Sequence, residues 1–138
     1  MTIDQARDFI RSNHRGVLAT ERADGGLAMS PVVCGIDLSG DVVISTRETA
    51  MKTHHVRRSG RASLCVMNDG FFGAWVYLEG SARIVSLPEA MEPLVDYYRT
   101  NFGEHPDWDE YRAAMVAERR LVMRLRVERA YGQPGRRS

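Results

Sequence analysis

Cysteine is scarce in this chain: there are two in 138 residues, Cys34 and Cys65, each inside an apolar segment. Two thiols give no disulfide framework and no zinc-type ligand spacing, so the sequence predicts buried free thiols in a reducing cytoplasm. Long apolar runs are missing as well. Residues 1–16, MTIDQARDFIRSNHRG, interleave charged and apolar side chains, which predicts neither a signal peptide nor a membrane span. An excess of one charge is also absent. Nineteen basic residues against eighteen acidic ones leave a net charge of +1, which argues against a general nucleic-acid binder.

Catalytic signatures are missing too. No glycine-rich phosphate-binding fingerprint follows a strand. Ser30, Ser45 and Ser63 lack the glycine-flanked elbow of a serine nucleophile. His54 and His55 are adjacent on a helix, point about 100° apart and cannot chelate one metal together, so both read as surface residues. His105 falls in a turn between helices, and Glu79 reads as the ion-pair partner of an arginine such as Arg83. With no side-chain catalyst in view, any chemistry belongs to a bound cofactor that the protein positions.

Hydrophobic residues make up 43% and charged residues 27% of the chain, and its length suits one domain, 1–138, with a real core. Apolar spacing at Ile3, Ala6, Phe9 and Ile10 predicts a helix ending near Asn13. Strands are predicted at 16–20, 27–37, 42–46, 62–68 and 73–85, and an alternating final strand at 121–127. Pro31 suggests a bulge or a sheet edge. Pro88 is expected to open a helix carrying Met91, Leu94, Val95 and Tyr98 on one face. Asp107 is expected to start another, with Trp108, Tyr111, Met115 and Val116 as its buried stripe. Strands joined by tight turns, with helices between them, predict an α+β fold: a small antiparallel β-barrel with peripheral helices.

The most informative stretch runs through residues 41–63. A strand delivers Ser45, Thr46 and Arg47 to a short basic helix that opens at Thr49 and carries Lys52 in its first turn. Free amides, the helix dipole and the cations together suit a phosphate. Over residues 47–61, Arg47, Lys52, Arg57, Arg58 and Arg61 stand against Glu48 alone, although a basic helix is also what a solvated face looks like. The acidic residues gather instead between Glu89 and Glu118, and Arg136-Arg137 reads as a frayed tail. A flat ring would meet the backbone and apolar groups of Met29, Ser30, Pro31, Val32 and Val33 on the neighbouring strand. Phe72 and Trp75 would cover the ring or serve as plain core.

These blocks carry a resemblance. Gly16-Val17-Leu18-Ala19-Thr20, Met29-Ser30-Pro31-Val32, Ala50-Met51-Lys52-Thr53, Leu78-Glu79-Gly80-Ser81-Ala82 and Gly103-Glu104-His105-Pro106-Asp107-Trp108 occur in one order along nearly the whole chain. Together they resemble the pyridoxamine-5'-phosphate-oxidase-like split β-barrel superfamily, and within it the branch that uses the deazaflavin F420. The resemblance implies a cytoplasmic homodimer with cofactor sites in grooves between subunits, no metal, and a small-molecule hydride acceptor. It implies that Ser45, Arg47, Met51, Lys52 and Thr53 hold the phosphate side of the cofactor, with Thr46 beside them. Arg57 and Arg58 would attract the oligoglutamate tail of F420, residues 29–32 would meet the ring, and Phe72 or Trp75 would come from the partner subunit. The implied activity is an F420H2-dependent reductase. FMN remains an alternative cofactor, because Lys52 serves either phosphate and Ala50 replaces a residue that is often basic in relatives. A non-catalytic F420 carrier is the other alternative.

Overall fold

Apolar side chains recurring at every second residue build six strands whose inner faces close on one another. The computed structural model describes residues 1–70 and 72–133, so Arg136 and Arg137 lie outside the described part. In chain order the elements are α1 (Ile3–Ser12), β1 (Arg15–Glu21), β2 (Leu27–Ile36), β3 (Val42–Arg47), α2 (Met51–Ser59), β4 (Arg61–Met67), β5 (Trp75–Val85), α3 (Met91–Phe102), α4 (Trp108–Ala117) and β6 (Arg120–Gln133). The strands form a closed barrel in the order β1-β2-β3-β6-β5-β4, each neighbour antiparallel. The expected α+β split barrel is what the chain forms.

Leu18, Ile44, Leu64, Leu78, Met123 and Leu125 are fully buried inside the barrel. Truncating one such side chain to alanine costs about 2–5 kcal/mol. Helix α1 packs Ala6, Phe9 and Ile10 into the same cluster. Its start is fixed by a capping box in which Thr2 and Gln5 each bond the other's backbone amide. Helices α3 and α4 bury a second cluster, Ala90, Leu94, Val95 and Tyr111, against Val43 and Val122. Two covered faces explain why β6 opens with three consecutive buried residues, Leu121, Val122 and Met123, where simple alternation was expected.

Several expectations need correction. Helix α2 opens at Met51, because Glu48 and Thr49 form a turn closed by the Ala50 amide on the Arg47 carbonyl. Pro88 lies in a turn rather than in a helix, since Ala90 bonds back to Ser86 and Met91 to Pro88 before α3 begins. Val116, expected in the buried stripe of α4, is 60% exposed. Strand β6 runs on to Gln133, carried past its apolar stretch by pairing with β5. Glu79 faces Arg129 across that pair at 3.7 Å, while Arg83 reaches Asp41 at 3.8 Å. In a strand the cross-strand neighbour lies closer than the residue four positions along.

Two local devices shape this barrel. The β5–β6 register shifts between Glu79 and Gly80, and a Cβ at Gly80 would collide with the Arg126 carbonyl oxygen. Gly80→Ala is therefore expected to cost about 3 kcal/mol, read from the urea midpoint. The second device is Asp37, at the end of β2, which binds the Arg124 guanidinium on β6, the Ser39 hydroxyl and the Asp41 amide. Burial acts to raise its pKa, but the Ser39 hydroxyl, the Asp41 amide and Arg124 outweigh that and hold the carboxyl below its ordinary value. A depressed folded-state pKa gives stability that is present above the unfolded value, about 3.9, and is lost as pH falls through the folded one. Asp37→Asn should thus cost about 2 kcal/mol at pH 7, and the gap to wild type should close in denaturation curves taken below that range.

Candidate functional site: the fork between β2 and β3

Strands β2 and β3 pair over three positions only, Cys34 with Ile44, Gly35 with Val43 and Ile36 with Val42. Beyond them the strands part. Strand β2 stays paired with β1 from Leu27 to Val33, and β3 with β6 from Val42 to Arg47. The split therefore has one free backbone edge on each side. Cys34 donates its amide toward β1, to the His14 carbonyl, so the alternating residues Met29, Pro31 and Val33 turn their backbone groups to the gap. Pro31, which has no N–H to offer a strand, sits where no strand pairs with it. The edge reading holds, and the β1–β2 register shows no bulge.

Tyr97 of α3 stands at the point of divergence. Its hydroxyl donates to the Val33 carbonyl at 3.0 Å, taking the place of the next rung of the ladder. Burial foremost, and then the Cys34 thiol, push this hydroxyl up to about 12, against an opposing pull from the Ser45 amide. It is a permanent neutral donor wedged between the strands. The sequence reading passed over Tyr97 because it lies off the Leu94–Val95–Tyr98 stripe; its only signal was a second tyrosine beside Tyr98.

On the β3 side the chain turns into α2. Thr53 donates its hydroxyl to the Arg47 carbonyl at 2.7 Å, and the Glu48 amide bonds the Arg119 carbonyl at 2.9 Å. His55, expected at the surface, is 7% exposed and shares a 2.9 Å hydrogen bond with Thr20 of β1. It is buried because α2 lies across β1 and β5. The helix is thus tied at its start and along its underside, while no side chain caps its first amides. Those amides carry the positive end of the helix dipole.

Arg47, Arg57 and Arg120 around this start are each paired with a carboxylate. Arg47 lies 3.4 Å from Glu118, which also holds Arg120 at 3.0 Å. Arg57 pairs with Glu48 at 2.7 Å and reaches Ser86 at 3.1 Å. The Ser86 hydroxyl first, and then Arg57, hold the Glu48 carboxyl below its usual range despite partial burial. Arg58 donates to the Glu21 carbonyl. Lys52, the single lysine among nineteen basic residues, has no acidic partner among the described residues. Partial burial, and after it the like charge of Arg120, lower its pKa. A half-buried cation beside another cation and uncapped amides is electrostatically under-compensated, and an anion would relieve it.

The structure gathers only part of the expected set. Ser45 and Lys52 lie at the fork, and exposed Arg47 and Met51 adjoin it. Met29 and Pro31 are exposed on the opposite edge, while Ser30 and Val32 are half-buried on the inner side. Thr46 is 6% exposed and alternates with Ile44, so it belongs to the interior side of β3, and Thr53 is fully buried with its hydroxyl already committed. Phe72 and Trp75 are elsewhere. They follow β4 near Arg15, which pairs with Asp69 at 2.7 Å, whereas α2 meets β1 at Thr20. The five residue steps from Arg15 to Thr20 span about 17 Å.

A split antiparallel barrel with a cationic helix start at the mouth of its split defines the class. The chain belongs to the pyridoxamine 5'-phosphate oxidase family, whose match covers residues 2–134. That family is oxidoreductase-like and binds flavin or related cofactors. Solved structures share the fold. A conserved hypothetical protein from Mycobacterium tuberculosis is 24% identical, with 96% of this chain and 84% of that one covered and a TM-score of 0.78. A heme binding protein from Mycobacterium smegmatis is 22% identical over 96% and 54%, with a TM-score of 0.71. An F420 reductase is 16% identical over 91% and 94%, with a TM-score of 0.69. At these identities the likeness concerns the fold. No helix among the described residues is long and apolar enough to cross a membrane.

Removing the Tyr97 hydroxyl tests the wedge. In Tyr97→Phe the ring still holds the strands apart, so the Val33 carbonyl loses its donor. Stability should fall by about 1 kcal/mol, and the Ser45 amide should exchange faster with solvent deuterium. Unchanged exchange would mean that the hydroxyl does not hold the fork.

Proposed function

We propose that this protein is an F420H2-dependent reductase that passes hydride to an unsaturated or quinone-like small molecule, working in the cytoplasm as a homodimer of one cofactor-binding domain. The observation that carries this reading is the unpaired Lys52 at the uncapped start of α2, beside the open edge of β2. A reduced deazaflavin supplies the hydride chemistry when bound. The protein's part is position and electrostatics. Lys52 and the first amides of α2 neutralise a phosphate, with Ser45 and Arg47 beside them. Backbone groups of Met29 and Pro31 orient the ring along the free strand edge. Arg57 and Arg58, both exposed, exchange their present contacts for an acidic tail.

The dimer is supported by the outer face of the sheet. Cross-strand pairing aligns Pro31, Val17, Cys65, Tyr77 and Tyr131 in one row over five strands, flanked by Met29 at 68% and Leu27 at 62% exposure. Such a band suits a second copy, which would bring Phe72 and Trp75 of the partner subunit to the fork. Tyr77 is the side chain best suited to deliver a proton. Its hydroxyl donates to Glu79 at 2.9 Å and stands 3.1 Å from Ser63, and desolvation keeps it protonated.

FMN is the competing cofactor, and one observation favours it: Arg57 is already held by Glu48 and Ser86, so less free charge faces an acidic tail. A carrier without turnover is the remaining alternative. Fluorescence titration of the protein with F420 and, separately, FMN distinguishes these readings. F420 is expected to bind more tightly, and Lys52→Ala to weaken it by about tenfold, the worth of one charge-assisted contact. Turnover of F420H2 with an activated-alkene or quinone acceptor supports the reductase. Preference for FMN moves the assignment to the flavin branch, and tight F420 binding without turnover on any acceptor leaves the carrier.

A further inference from the structure

A cavity of about 270 Å³ lies away from the fork, between α3 and the closed end of the β2–β3 hairpin. The open and closed parts of the hairpin meet at Tyr97, so this cavity lies on the paired side of the wedge and the proposed cofactor groove on the other. Its walls are apolar, built from Ile36, Leu38, Val43 and Pro93 with Tyr97. The size suits one ring with a short side chain, since an engineered cavity of about 150 Å³ already takes benzene. Leu38, at the rim, is fully exposed.

The polar groups around it set the charge of an occupant. Among the described residues Arg124 is the only cation in the lining, and Asp37 and Ser39 bind its guanidinium while Asp41 lies 3.7 Å from Nε. No positive charge is left over for an anion. Arg124 Nε is buried without a hydrogen bond, its charge answered by Asp37 and Asp41, and the other unmet groups are acceptors. Asp96, exposed at the rim, has no ion pair or hydrogen bond among the described residues. Asn101 Oδ1 is buried without a partner, while the same amide donates through Nδ2 to the Tyr97 carbonyl at 3.0 Å. Both residues belong to adjacent rows of α3, those of Asp96–Thr100 and of Pro93–Tyr97–Asn101. The terminal torsion of an asparagine is broad, so Oδ1 can turn toward a donor arriving from the cavity and gain a bond that solvent does not supply.

We infer that this cavity is a second ligand site, distinct from the fork, for a small arylalkyl amine whose ring fills the apolar slot and whose ammonium meets Asp96 and Asn101. The class follows from an apolar chamber whose lining sets Asp37 and Asp96 against the single cation Arg124, and from two acceptors with no partner among the described residues. An arylalkyl acid of the same size lacks the donors and is repelled by Asp96. The site does not depend on the cofactor reading.

Amide NMR of the full chain titrated with 2-phenylethylamine, phenylacetate and toluene tests this. The amine should shift the amides of Gly35, Leu38 and Asn101 with a dissociation constant of about 1 mM, a reasonable strength for so few atoms. Phenylacetate should bind at least about tenfold more weakly, and toluene in between. Asp96→Asn, a rim change that leaves the core intact, should weaken the amine by about fivefold. Asn101→Ala should do so by about tenfold, and Lys52→Ala should leave amine binding unchanged. Equal affinity for the acid, shifts centred away from α3, insensitivity to Asp96→Asn, or no shift at about 20 mM would each overturn the inference.

Discussion

The brief pairing of β2 with β3 is the constraint on which the rest of this molecule depends. A barrel can part at one seam only if the others hold. Here β5 pairs with β6 along its entire length, and β1 and β4 close the opposite side. The seam stays open because Tyr97 occupies the next rung, and Tyr97 is placed there by α3, whose Leu94 and Val95 are fully buried against the outer face of β3 and β6. A hydrophobic contact on one side of the sheet thus fixes a hydrogen bond within it. The open edge of β2 is the result, and so is its tolerance of Pro31.

Helix α2 depends on the same geometry. Where β3 leaves β2, its carbonyl at Arg47 is free to accept from Thr53, and that bond sets the helix start at the mouth of the split. His55 on Thr20 holds the underside. Gly60, at φ +68°, ends the helix in the left-handed conformation and returns the chain to the sheet through the Ala82 amide on its carbonyl. With the helix so anchored, its dipole has a fixed direction. The ion pairs around it are exposed and contribute at most about 1 kcal/mol each. They can be traded for ligand contacts at small cost, whereas Lys52 has nothing to trade.

Much of the barrel was legible because its inner faces alternate at period two and its turns carry glycine, asparagine and aspartate. What escaped the sequence was mainly what depends on a second element. Thr49 looked like a helix start because the pull of the Arg47 carbonyl on Ala50 and Thr53 is a contact, not a pattern. His55 looked exposed because nine residues of α2 give too short a period to show the coverage by β1. Residues 128–133 carry no strand pattern of their own and are extended because β5 supplies their partners. The seam itself was invisible, since it is an absence of pairing between two segments that each read as good strands. Lys52 was legible, standing in the first turn of a basic helix. Its isolation from every acid was not, because that requires the partners of Arg47, Arg57 and Arg120.

The position of the aromatic residues follows from strand length. One chain cannot bring Trp75 to Lys52, because the two flank opposite ends of β1 and a strand of seven residues is stiff over about 20 Å. A site closed by both residues therefore requires two chains related by symmetry, with the end of one barrel beside the fork of the other. The outer row from Pro31 to Tyr131 lies between those two ends. It leaves a surface apolar enough to pair with its own copy, in a protein whose balanced charge opposes no such approach. The same reasoning separates the fork from the cavity under α3. The fork is open along the unpaired edge of β2, whereas the cavity is walled within one chain, and Tyr97 is the boundary between them.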